Sequence, residues 1–110
     1  MKVVENDRLI SDMLREELVR CRHMSASVEQ ALSSLPKGSL HLRSKDYHGK
    51  SYSYHYLKFR ERGKSVNRHI PAGQVEEIRK QLQSRKSYEQ ELKTYRERIR
   101  YLEKILPHQG

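Results

Sequence analysis

The sequence predicts an α+β protein in which a long helix, a three-stranded antiparallel β-meander and a second long helix follow one another (α-β-β-β-α). Apolar residues recur every three or four positions in the first and last thirds of the 110 residues, which is typical of amphipathic helices. Between about residues 39 and 70, apolar and polar residues alternate, as they do along strands with one buried face. The helices are expected to pair as an antiparallel, coiled-coil-like hairpin, because each alone leaves an apolar stripe in water.

The first helix is predicted within residues 1–35. Asn6 or Asp7 is the expected cap at its start, and Pro36 followed by Gly38 ends it. Its apolar stripe consists of Ile10, Leu14, Glu17, Cys21, Met24, Val28, Ala31 and Leu35, widened by Leu18 and Leu32.

The second helix is predicted within residues 74–110 and ends at Pro107. The spacing of its apolar residues is irregular between Arg85 and Tyr88. The first half is therefore expected to cover the sheet, and the second half to pair with the first helix; a dimeric coiled coil is the alternative. Together with the meander at residues 36–73, the two helical segments form one domain. The stripe consists of Val75, Ile78, Leu82, Tyr88, Leu92, Tyr95, Ile99, Leu102 and Leu106.

Two dipeptides, His48-Gly49 and Arg62-Gly63, divide the meander into three strands. With two-residue turns, Leu40 lies opposite Leu57. One face then collects Leu40, Leu42, Leu57, Phe59, Val66 and Ile70, and the other collects His41, Arg43, Lys45, Tyr52, Tyr54, Tyr56, Lys58, Arg60, Asn67 and His69. A slip of one residue would expose the large apolar side chains, which favours this register.

Positive charge is concentrated in the meander. The chain has 23 Lys and Arg against 14 Asp and Glu, and nine of those cations lie in residues 36–73 against only Asp46 and Glu61. Such an excess indicates an anionic partner, either nucleic acid or a membrane surface. No segment reaches the roughly 18 consecutive apolar residues that span a bilayer. Neither helix sets Lys and Arg opposite a broad aromatic face, so a membrane partner is not expected.

The polar face of the meander is the predicted nucleic-acid site. Cations bind phosphates, while tyrosine and asparagine reach groove edges or stack on bases. A three-stranded sheet fits the major groove of DNA, which favours DNA over RNA. Tyrosine is also a good strand former, so the competing interpretation is a face covered by a helix or a second subunit. The predicted binding residues are Arg43, Lys45, Tyr52, Tyr54, Tyr56, Lys58, Arg60, Lys64, Asn67 and His69.

The residues predict no enzyme, no cofactor and no metal site. Cys21, the only cysteine, falls on an apolar stripe and is expected to be a buried, inert thiol. A lone cysteine fits a reducing compartment, and the first residues lack the order of a signal peptide, so a cytoplasmic protein is expected. His41 and His69 flank Tyr56 at roughly 10 Å from each other, too far to share one zinc ion. Neither a glycine-rich phosphate loop nor paired catalytic carboxylates occur.

Several short motifs resemble those of known groups. The run Leu35-Pro36-Lys37-Gly38-Ser39-Leu40, then Tyr52-Ser53-Tyr54, Gly63-Lys64 and Ile70-Pro71, resembles a group of small bacterial proteins similar to those found around mobile elements. That resemblance spans residues 35 to about 105 and implies no established activity. More distantly, residues 38–85 resemble the arm-type DNA-binding domains of tyrosine recombinases, which use a three-stranded sheet in the major groove. This second resemblance implies DNA binding through the meander.

Two other functions fit the same residues. A small phage or mobile-element inhibitor, including the anti-CRISPR type, would dock on a nucleic-acid enzyme or ribonucleoprotein, or bind its guide RNA. Arg96, Arg98 and Arg100, near Tyr95 and Tyr101, would give such an inhibitor a docking surface. The other possibility is a coiled-coil scaffold that forms a homodimer, in which the positive charge of the chain has no role in binding. Affinity for nucleic acid at low salt separates these hypotheses from the DNA-binding one.

Overall fold

The computed structural model describes residues 8–106 and has the predicted order of elements. These are α1 (Arg8–Ser33), β1 (Ser39–Tyr47), β2 (Lys50–Glu61), β3 (Lys64–Ile70), a single 3-10 turn (Ala72–Gln74) and α2 (Val75–Ile105). The α+β class and the α-β-β-β-α order are confirmed. The predicted cap at Asn6 or Asp7 and the stop at Pro107 lie outside the described residues.

The chain forms two compact units, and one boundary between them lies inside α2. One unit contains residues up to 34 together with residues from 87 onward, and the other contains residues 35–86. The predicted segments 1–35, 36–73 and 74–110 follow the elements instead. The division of α2 between Lys86 and Ser87 falls where the spacing of its apolar residues becomes irregular.

In the helical unit, α1 and the end of α2 pair in antiparallel orientation. Arg22 forms an ion pair with Glu103 at 2.9 Å, and Glu29 forms one with Arg96 at 2.9 Å. A later residue of α1 therefore meets an earlier residue of α2. The predicted helical hairpin is confirmed.

The core of the helical unit contains the predicted leucines and, in addition, two serines. The buried cluster consists of Leu18, Leu102, Ile105 and Leu106, with Leu14 and Ile99 packed against it. Ser11 and Ser25 of α1 are buried, whereas Ile10 and Met24, which the spacing placed in the stripe, are each 38% exposed. The predicted stripe is thus wrong at these two positions. Small side chains at the centre of the interface let helices approach closely, and larger ones then lie at its edges.

The three strands pair in the predicted register, as shown by Leu40 opposite Leu57. Both turns have positive φ at both central residues: 49° and 76° at His48-Gly49, and 51° and 78° at Arg62-Gly63. This is the type I′ conformation, whose twist matches that of the strands that it joins. The turn geometry therefore determines which residues share a face of the sheet.

The first turns of α2 cover one end of the apolar face. Leu57 and Ile70, each 2% exposed, form a buried cluster with Val75 and Ile78 of α2. This confirms that the beginning of α2 packs on the sheet. The alternation along β1 assigns Leu42 to the apolar face, but its side chain is 62% exposed. Its predicted burial is wrong because the cluster with α2 does not extend along the sheet to its position.

Candidate nucleic-acid interface

One face of the sheet collects every tyrosine of the strands, and we call it the tyrosine face. It consists of Ser39, His41, Arg43, Lys45 and Tyr47 of β1, Lys50, Tyr52, Tyr54, Tyr56, Lys58 and Arg60 of β2, and Ser65, Asn67 and His69 of β3. Alternate residues of a strand point to opposite faces, so the cluster formed by Leu57, Ile70 and α2 lies on the other side. All the predicted binding residues except Lys64 lie on the tyrosine face.

At the centre of this face, the rings of Tyr54 and Tyr56 pack against neighbours from the same sheet. His41 stacks on Tyr56 with ring centroids 5.2 Å apart, and the guanidinium carbon of Arg43 lies 5.3 Å from the same centroid. Tyr54 lies 6.5 Å from Tyr56 and 6.0 Å from His69, centroid to centroid. Tyr54 and Tyr56 are half-buried as a result. Together these groups form a packed platform in the middle of the sheet.

Tyr52 and the cations around this platform remain accessible. Tyr52 is 51% exposed, and Lys45, Lys58 and Arg60 are all exposed. Arg60 donates a hydrogen bond from Nη2 to the carbonyl oxygen of Gly63 at 3.0 Å, which directs its side chain along the β2–β3 turn. The surface can therefore offer both a phenol ring and positive charges to a ligand.

Charge is segregated between the two faces of the sheet. Within residues 39–70, the tyrosine face carries no carboxylate, and its cations are Arg43, Lys45, Lys50, Lys58 and Arg60. The two strand carboxylates, Asp46 and Glu61, lie on the opposite face together with Lys64 and Arg68, so charge is balanced there. Charges of one sign on one surface add their potentials and attract polyanions.

Lys64 is the predicted contact that the register places on the other face. Lys64 lies opposite Glu61 in the strand register, beside the β2–β3 turn. Val66, two residues later, is half-buried on that same face. Strict alternation along the strand requires this placement. Asn67 and His69 lie on the tyrosine face as predicted, and both are exposed.

Tyr47 and Lys50 lie on the tyrosine face but are missing from the predicted set. They form the last residue pair before the β1–β2 turn. Tyr47 is 59% exposed and Lys50 is exposed. The alternation that selects Lys45 and Tyr52 also selects these two residues, so the signal was present in the sequence.

The single cysteine is buried in the helical unit. The Sγ atom of Cys21 donates a hydrogen bond to Oε1 of Glu17 at 3.3 Å. Burial, and then the neighbouring Glu17 carboxylate, raise the pKa of the Cys21 thiol. A thiol that is buried and kept protonated is a poor nucleophile, which agrees with the inert role that the sequence predicts.

The basic residues near the end of α2 are partly neutralised within the helical unit. Arg96 pairs with Glu29 at 2.9 Å, and Arg98 lies 3.6 Å from Glu17. Tyr101 beside them is 59% exposed. This surface therefore mixes both signs of charge, whereas the tyrosine face does not.

Metal-binding groups, membrane spans and related proteins add no further assignment. Within residues 8–106, no three His, Cys, Asp or Glu side chains form a group that could hold a metal ion. In the same part of the chain, neither helix is long and apolar enough to cross a bilayer. Comparison with protein-family models, with curated proteins and with solved structures finds no match to any of them.

Proposed function

We propose that this protein binds nucleic acid, and duplex DNA in preference to RNA, through the tyrosine face, and that it catalyses no reaction. The segregation of charge supports the proposal most strongly: within residues 39–70, five cations and no carboxylate share the face. A nucleic acid carries a charge at every phosphate, and neutralising phosphates releases counterions, which drives binding. The cores of protein–protein interfaces are depleted of charged residues, so a face this rich in exposed cations suits a polyanion better than a protein partner.

The proposed contacts divide by chemistry. Lys58 and Arg60 lie two residues apart on β2, about 6.8 Å along the strand. That distance is about twice the 3.4 Å rise per nucleotide of one DNA strand, so both cations can reach phosphates of the same strand. Arg43 and Lys45 have the same spacing on β1. The exposed Tyr52 lies opposite Lys45 on the neighbouring strand and is the group that we assign to base edges.

The free Cys21 supports a location for this function. The chain has one cysteine, and it is buried as a free thiol. Proteins of reducing compartments keep cysteines in this form. We propose that the protein lies in the cytoplasm.

A pair of double variants tests the proposal. Lys58→Ala with Arg60→Ala removes one lysine and one arginine from the tyrosine face. Lys64→Ala with Arg68→Ala removes the same charges from the opposite face, and all four side chains are exposed. The measurement is fluorescence anisotropy of a labelled 20-base-pair duplex of random sequence, with single-stranded DNA and RNA of that sequence compared.

The affinity of the first double variant for the duplex at 0.1 M salt should be lower than that of the unmodified protein by on the order of tenfold or more, because two phosphate contacts are lost. The control should stay within about threefold, since distant charges are screened at that ionic strength. Equal weakening of the two variants, or no binding by the unmodified protein at low salt, would overturn the proposal. Tighter binding of RNA would remove the preference for DNA.

A further inference from the structure

The β1–β2 hairpin extends beyond the third strand. β3 ends at Ile70, which pairs with His55, but the β1–β2 pairing continues from Arg43 opposite Tyr54 to Tyr47 opposite Lys50. We call this two-stranded part, residues 43–54, the hairpin arm. Its residues are exposed except for Tyr54, which is half-buried. At about 3.4 Å per residue, the arm extends the sheet by about 17 Å.

The two faces of the hairpin arm differ in size and chemistry. The front, which continues the tyrosine face, carries Arg43, Lys45, Tyr47, Lys50, Tyr52 and Tyr54. The back carries Ser44, Asp46, Ser51 and Ser53, and its polar groups bond to one another across the strands. Ser51 donates from Oγ to Oδ1 of Asp46 at 2.6 Å, and the hydroxyl oxygens of Ser44 and Ser53 lie 3.3 Å apart. The carboxylate of the arm, Asp46, therefore lies on the back, and the front carries only cationic and aromatic side chains.

We infer that the hairpin arm enters the major groove of duplex DNA, with Tyr47 and Tyr52 against base edges and Lys45 and Lys50 against the phosphates on either side. The inference rests on the proposed function. The major groove is about 12 Å wide and admits a two-stranded ribbon. Two strands lie about 4.8 Å apart and three span about 10 Å before side chains are added, so the two-stranded arm enters the groove with more room for its side chains than the three-stranded part.

The length and charge of the hairpin arm favour this partner over a second copy of the chain. An arm of about 17 Å covers about five base pairs at 3.4 Å each. Two copies meeting through their fronts would bring like charges together, since Arg43, Lys45 and Lys50 face the same way. Duplex DNA instead supplies the opposite charge along both walls of the groove.

Lys50 and Lys64 form a matched pair for the test. Each follows the glycine of a type I′ turn and begins a strand, and both are exposed. Lys50 lies on the front of the arm, and Lys64 lies on the opposite face of the sheet. Lys50→Ser should weaken binding to the labelled 20-base-pair duplex about five- to tenfold at 0.1 M salt, as expected for one lost phosphate contact. Lys64→Ser should stay within about twofold.

A third variant, Tyr47→Ser, tests the aromatic contact. It should weaken binding to the duplex several-fold while binding to the single strand of the same sequence changes less than about twofold. Netropsin, which occupies the minor groove, should leave the affinity of the unmodified protein unchanged. Urea denaturation should show equal stability for all three variants, because the altered side chains are exposed.

The outcomes separate the inference from the proposed function. If Lys58→Ala with Arg60→Ala weakens binding but Lys50→Ser and Lys64→Ser behave alike, the tyrosine face binds DNA and the arm inference is wrong. Displacement by netropsin also overturns the arm inference. So does a Lys50→Ser variant that changes self-association in sedimentation but not DNA affinity. If the unmodified protein does not bind the duplex at all, the proposed function fails as well.

Discussion

His41 stacks on Tyr56 across the β1–β2 strand pair, with ring centroids 5.2 Å apart and ring planes 18° apart. Arg43 lies against the same ring, so the surroundings of Tyr56 are filled before any ligand arrives. Tyr52, four residues earlier on the same face, is 51% exposed. The two tyrosines are therefore expected to differ in role: Tyr56 stabilises the platform, and Tyr52 contacts the ligand.

Substitution by serine should separate these roles. Tyr56→Ser should lower the free energy of unfolding by about 1–2 kcal/mol, since ring contacts of this kind contribute about 0.5–1.5 kcal/mol in addition to buried area. Tyr52→Ser should change the free energy of unfolding by less than about 0.5 kcal/mol, but should weaken duplex binding about five- to tenfold through loss of a contact to a base edge. Urea denaturation and fluorescence anisotropy measure the two effects. A Tyr52→Ser variant that loses stability and keeps its affinity would contradict this division.

The carboxyl group of Glu17 in the helical unit has a lowered pKa. Its Oε1 atom accepts hydrogen bonds from Nη2 of Arg20 at 2.6 Å and from Sγ of Cys21 at 3.3 Å. The bond from Arg20, and then that from Cys21, lower the pKa of Glu17 from an ordinary 4.5 to about 2. Arg98, 3.6 Å away, adds to this effect from the other helix.

A lowered pKa in the folded state makes stability depend on pH in a defined direction. Ionised Glu17 contributes fully to the free energy of unfolding above the pKa that it has in the unfolded chain. That contribution is lost as pH falls from about 4.5 to about 2. We expect the Tm difference between the unmodified protein and Glu17→Gln to be larger near pH 6 than near pH 2. Glu16→Gln, at the exposed neighbouring position, is the control. A Tm difference that is the same at both pH values would count against the Glu17 contacts.

Gly38 lies close to β2 at the start of the sheet. Its φ is 119°, and a Cβ atom built there would overlap the carbonyl oxygen of Lys58 and lie 2.9 Å from Cβ of Phe59. Gly49 also has a positive φ, 76°, but open space surrounds it. Alanine at either position takes the unfavourable left-handed conformation, and only at Gly38 does it also collide with the strand backbone.

Gly38→Ala should therefore lower the free energy of unfolding by more than about 2 kcal/mol, and Gly49→Ala by about 1–2 kcal/mol, the cost of the left-handed conformation alone. Urea denaturation of both variants measures the difference. Equal losses would mean that the chain before β1 can move away from Lys58 without strain.

The fold and most of the candidate site follow from short-range patterns in the sequence. The turns at His48-Gly49 and Arg62-Gly63 each take two residues, which determines the register and so the membership of both faces. The same rule, applied to every strand residue, moves Lys64 to the other face and adds Tyr47 and Lys50 to the site.

Other features depend on distances that a sequence pattern does not contain. Ser25 is buried and Met24 is exposed because the position of α2 determines which side of α1 lies at the centre of the helix–helix interface. Leu42 is exposed because coverage of the sheet depends on where α2 packs. The extension of the β1–β2 hairpin beyond β3 likewise appears only when the strand ends are known.

The salt dependence of duplex binding tests the central claim most directly. The tyrosine face carries five cations within residues 39–70, so the logarithm of affinity should fall with the logarithm of salt concentration with a slope of about −4.5. In Lys58→Ala with Arg60→Ala the slope should be about −2.7, since three of the cations remain. A slope shallower than about −1 for the unmodified protein, or equal slopes for the protein and this double variant, would contradict the assignment of DNA binding to the tyrosine face.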